Sequence, residues 1–169
     1  MPKPLSVFLL PVLALLAVPL HARRMENSPD KRLGRVHQII DDLRSRLDMR
    51  ERVQAVVVNG NPRVVSVERV SRPEAGFLMS LDEQFLNSLS DDELIAVIAH
   101  ELGHVWIYSH HPYLHTELLA NQIAMRVVSR ESLKRIYAKL WSHLGAQGNL
   151  EDFLGPDPGD DAAVARRVD

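Results

Sequence analysis

The stretch Ser90 to Pro112, SDDELIAVIAHELGHVWIYSHHP, decides how this chain folds. Ser90 is followed three residues on by Glu93, a capping-box pattern in which the two side chains satisfy amide groups that a helix start leaves unpaired. A helix is therefore predicted to begin there. It runs to about Ser109, because the residue before Pro112 is pushed out of helical backbone. Between Leu94 and Ile107 every residue is apolar or glycine except His100, Glu101 and His104. An ionised glutamate in such company is costly unless something pairs with it. His100 and His104 are four apart, so both imidazoles leave one face and can meet a single zinc ion, with Glu101 about 100° round the helix beside them. This is the H-E-x-x-H arrangement, in which the histidines hold zinc and the glutamate is the general base that activates water.

Two histidines do not complete a catalytic zinc site, and the chain has no cysteine, so the third ligand must be a further histidine or a carboxylate. His110 stands where the longer pattern H-E-x-x-H-x-x-G-x-x-H places its last histidine, but that pattern needs glycine for a sharp turn and this chain has Ile107. Glu117 suits the geometry better. Five residues beyond His104 carry the helix about 7.5 Å on, and an antiparallel helix resuming near Tyr113 descends a similar distance by Glu117. Asn121, one turn later on the same face, can accept a hydrogen bond from a ligand histidine and fix its tautomer.

Working outward, Leu33, Val36, Ile40, Leu43 and Leu47 recur at helical spacing, with Ser28 as N-cap. The segment RVQAVVVNGNPRVVSVERV, residues 52–70, reads as two strands around a tight turn at Asn59 to Pro62, and Gly76 to Leu81 as a third strand. Further helices are predicted over Leu114 to Val128 and over Arg130 to Leu144, the latter closed by Gly145. The expected fold is α+β: a zincin-like single domain over residues 23–145, with an N-terminal helix, a small three-stranded sheet, the HExxH helix, a ligand helix and a C-terminal helix. From Ala146 the glycines, prolines and acidic residues read as a disordered acidic tail, 146–169. Phe77 to Leu81 is the expected edge strand, against which a polypeptide substrate would lie extended. Tyr108, Tyr137 and His143 are available as oxyanion donors, and spacing selects none of them. His110 to His115 reads as a solvated turn, and Trp106 and Trp141 as core anchors.

At the N-terminus Lys3 precedes an apolar run from Leu5 to Leu20 and then Ala22, which reads as a signal peptide, residues 1–22. A membrane anchor is the alternative; the run falls short of the ~20 residues of a spanning helix, and Pro11 and Pro19 interrupt it. The expected location is periplasmic or secreted, with no stable membrane span after cleavage. A net charge of -2 with 25% charged residues leaves no electrostatic footprint for nucleic acid.

DDELIAVIAHELGHV at 91–105 and TELLANQIA at 116–124 resemble the HtpX and CAAX-prenyl-protease type of gluzincin zinc metallopeptidase, over about Val56 to Val128. The resemblance implies one zinc ion per chain held by His100, His104 and Glu117, with Glu101 as general base. It implies hydrolysis of peptide bonds in the bacterial cell envelope, in protein quality control or processing. The family pattern has Asp where this chain has Asn121. The alternative is a non-catalytic envelope protein that zinc stabilises, or a chaperone-like binder of unfolded chains; a purely structural site has no need of Glu101.

Overall fold

The chain is described by a computed structural model that covers residues 29–71 and 75–156. Helix α1, Pro29–Arg46, buries Val36, Ile39, Ile40 and Leu43 at three- and four-residue spacing. That stripe packs on the sheet and on the long central helix. The proposed Ser28 cap and the segment 1–22 lie outside the described residues.

Three strands follow: β1 (Val53–Val58), β2 (Val65–Val70) and β3 (Gly76–Asp82). They are not arranged as the sequence suggests, since β1 and β2 do not pair as a hairpin. The order is β1-β3-β2, with β3 parallel to β1 and antiparallel to β2. The reason is burial: with Phe77, Met79 and Leu81 in the core β3 is the most deeply buried strand, and it takes the centre, where both of its edges are paired. Asp82 holds the crossing. Its carboxylate accepts from Gly60 N at 3.0 Å in the β1–β2 connection and from Phe85 N at 3.0 Å, so it also caps α2, Glu83–Ser88. The Phe85 amide and the other donors outweigh burial and lower the Asp82 carboxyl below its usual range. Val64, at φ 65, is forced into left-handed backbone in this connection, a costly conformation for a β-branched residue.

A peptide cannot add to a central strand, so Phe77 to Leu81 is not the substrate edge. The two edge strands are β1 and β2, whose outer edges carry no strand among the described residues.

Helix α3, Asp91–His110, is the hub. Both halves of the capping box form, Glu93 N donating to Ser90 Oγ and Ser90 N to Glu93 Oε2, and His111 ends the helix. The next helix is shorter than predicted: α4 spans Glu117–Ala124, because the Thr116 hydroxyl accepts from Leu119 N and fixes the start three residues after Leu114. Helix α5, Arg130–Leu144, closes on Gly145 at φ 62 as its sequence predicts. The tail needs correction. Residues 150–154 form a short helix, α6 (Leu150–Leu154), capped by Asn149, with Leu154 buried in the core. Its apolar residues Leu150, Phe153 and Leu154 are too few for a period but enough to dock on α4 and α5. Residues 157–169 lie outside the described residues. Trp106 and Trp141 are half-buried at the rim of the core rather than anchors within it. Together six helices and one three-stranded sheet form an α+β domain. Among the described residues no helix is long and apolar enough to cross a membrane.

Candidate metal centre and active site

His100 and His104 leave α3 on one face with their Nε2 atoms 3.1 Å apart. Helix α4 returns alongside, and Gly103 makes the approach possible: a Cβ there would stand 2.3 Å from Ala120 O. This backbone contact brings Glu117, the first residue of α4, level with the histidines. Its Oε2 is 3.3 Å from His100 Nε2 and its Oε1 3.5 Å from His104 Nε2. Three lone-pair donors this close repel one another unless a proton or a metal cation lies between them. A tetrahedral zinc ion bound at about 2.0–2.1 Å places its ligand atoms roughly 3.3–3.4 Å apart, so the donors fit such an ion in number, type and spacing. Among the described residues His100, His104 and Glu117 form the single group with this property.

The second layer differs between the histidines. His100 Nδ1 donates to Asn121 Oδ1 at 2.8 Å, which leaves Nε2 as the lone-pair nitrogen. His104 Nδ1 is buried without a hydrogen-bond partner. Burial disfavours a charged His100, but the hydrogen bond it donates to Glu117 and the charge of Glu101 outweigh burial and raise the imidazole pKa. The same bonds to His100 and His104 pull the Glu117 carboxyl far below its usual range.

Glu101 is only 7% exposed and lines the cleft beside the cluster. Burial raises its pKa, and the neighbouring imidazoles and Arg63 do not cancel the effect. A carboxylate so placed binds a proton more readily than one in water. The cleft, about 340 Å³, runs between β2 (Val65, Val67) and an apolar wall of Ile136, Leu140, Trp141 and Phe153.

His110 lies elsewhere. It is exposed, its Nδ1 meets Trp106 O at 2.9 Å, and its ring stacks on Trp106 at 4.1 Å. Ile107, fully buried, carries α3 straight past the point where the longer motif would turn. Of the three proposed oxyanion donors, Tyr108 and Tyr137 line the cleft, while His143 packs edge-on against Phe85 at 5.3 Å. Sequence reasoning missed Arg63 and read His115 as part of a solvated turn, whereas it lines the cleft. The His115 ring stacks on His104 at 4.8 Å and lies 4.5 Å from Tyr108. The Thr116 cap, had it been read as such, would have set His115 immediately before the ligand helix.

Two histidines and a carboxylate on facing helices, with a buried glutamate beside them in an open cleft, are an arrangement that can hold a metal ion next to a base able to take a proton from water. The chain belongs to peptidase family M48, whose pattern matches residues 30–155. Among solved structures, the metallopeptidase zymogen of Pyrococcus abyssi abylysin is similar, at 18% identity and TM-score 0.48 over 68% of this chain and 99% of its own. None of the curated proteins matches.

The contact at Gly103 makes a direct prediction. Gly103→Ala must push α4 away from α3, at a cost of about 1–3 kcal/mol for overpacking. Because Glu117 rides on α4, metal affinity should fall together with the melting temperature. A variant that melts lower yet binds metal as tightly as wild type would show that Glu117 does not depend on this approach.

Proposed function

We propose that the protein is a zinc metalloendopeptidase of the HtpX and CAAX-prenyl-protease type, acting on polypeptides in the bacterial cell envelope. In this reading residues 1–22 are an export signal, and His100, His104 and Glu117 hold one zinc ion. The observation that carries it is the convergence of those three donors beside buried Glu101 in a cleft bordered by an edge strand. His100, His104 and Glu117 would hold the ion, which would supply a Lewis acid for the scissile carbonyl and for water. Glu101 takes a proton from the attacking water and passes it to the nitrogen as the C–N bond breaks, and its raised pKa suits both transfers. Asn121 keeps His100 in the tautomer a metal ligand needs.

The substrate would lie along β2. Asp82 N donates to Val64 O, and in an antiparallel ladder the bonded positions alternate, so residues 66, 68 and 70 face β3. The amides and carbonyls of Val67 and Arg69 are thereby turned to the free edge, where an extended peptide can bond to them. Metal analysis of the purified protein, with casein cleavage before and after chelation, tests the reading. Near-stoichiometric zinc is expected, with activity abolished by chelator and restored by added zinc. Casein cleavage that survives complete metal removal would sink it.

A further inference from the structure

Asn121 is completely buried on α4, and its carboxamide meets three partners at 2.8 Å each. Nδ2 donates to Tyr137 Oη and to Phe153 O, and Oδ1 accepts from His100 Nδ1. A backbone carbonyl can only accept, so Phe153 O decides which end of the carboxamide is the NH2 group. The other end is oxygen, and His100 Nδ1 must then carry the proton that bonds to it. Turning the amide over would set two oxygens face to face in a buried site. It would also make His100 Nδ1 the acceptor and leave the proton on Nε2, the atom that points at Glu117 and His104.

Phe153 belongs to α6, a short helix that other contacts also hold. Leu154 is buried, the Arg130 guanidinium donates to the carbonyls of Leu154 and Gly155, and the Phe153 ring lies 5.0 Å from Tyr137 and 5.8 Å from Trp141. These contacts place Phe153 on the cleft wall.

We infer that Asn121 is a two-sided positioning residue that joins the metal centre to the C-terminal helix. One end holds His100 with Nε2 free, and the other latches α6, with the Phe153 wall of the cleft, by a bond only a donor can make. A carboxylate serves His100 but opposes the Phe153 carbonyl; an apolar side chain serves neither. The His100 half rests on the ligand set proposed above, whereas the α6 half rests on the Phe153 bond alone.

The two halves separate in Asn121→Asp and Asn121→Leu, compared with wild type as full chains at pH 8. Zinc affinity is read by competition with a chromogenic chelator, and α6 docking by hydrogen exchange of residues 146–156 in the metal-free proteins. Asn121→Leu should lose at least about tenfold in zinc affinity, the scale of outer-layer losses. Asn121→Asp should bind zinc as wild type does, yet exchange in α6 at least about fivefold faster, because the half-buried Phe153 carbonyl has lost its donor. Wild-type exchange in Asn121→Asp would overturn the latch, and unchanged affinity in Asn121→Leu would overturn the positioning of His100. Loss of zinc in both variants would reduce Asn121 to a packing residue. Should Asn121→Leu fail to fold, Asn121→Asp still decides, since only the two-sided role gives retained zinc with a loosened helix. A wild type that binds no zinc would sink the ligand set, and the exchange comparison would still test the latch.

Discussion

Glu101→Gln is expected to keep the metal and to lower peptide hydrolysis about 10²–10⁴-fold, the contribution of a positioned general base. The amide fills the same volume, so the buried site keeps its packing. What it lacks is a carboxylate basic enough to take the proton of water. Removing a carboxylate that burial already destabilises should leave the melting temperature of the metal-free protein unchanged or raise it. Casein cleavage, bound zinc and a melting curve on one preparation separate the cases. Undiminished cleavage would remove Glu101 from the chemistry, while loss of zinc would recast it as a ligand.

Glu117→Ala and His110→Ala form the second comparison. Glu117 is the carboxylate common to both histidine contacts, so its removal should cost at least about tenfold in zinc affinity and most of the activity. In the metal-free protein the same change removes a partly exposed carboxylate from the start of α4. Its effect on melting there should be small, of the order of the 0.3–1 kcal/mol of a helix-dipole charge. The damage should thus show in metal titration and much less in apo stability. His110→Ala removes a ring stacked on Trp106 and should leave zinc in place. If His110→Ala empties the site while Glu117→Ala leaves it full, the ligand set is wrong.

Legibility followed the range of the interactions. The capping box at Ser90, the face shared by His100 and His104, the stop at His111-Pro112 and the Gly145 cap each depend on residues within about one helical turn. Glu117 was also legible, because two antiparallel helices and a short link leave little freedom in where their residues meet. Asn121 was read from the same geometry, but only its bond to His100. Its bonds to Tyr137 and Phe153 come from segments 16 and 32 residues away, and no spacing announces them.

The same division runs through the whole chain. By itself the sequence determined the elements with local grammar and the pair of histidines with their glutamate, since periodicity, caps and breakers act through bonds a few residues long. The tertiary structure alone decided which strand sits at the centre, which strand edges the cleft, and that residues 150–154 fold back on α4 and α5. Those outcomes depend on how much apolar surface each segment can bury against distant partners. Met79 and Leu81 place β3 between two strands, and Leu154 draws in a tail whose own composition reads as unstructured. Burial of that kind is a property of the assembled core, and no window of the chain contains it.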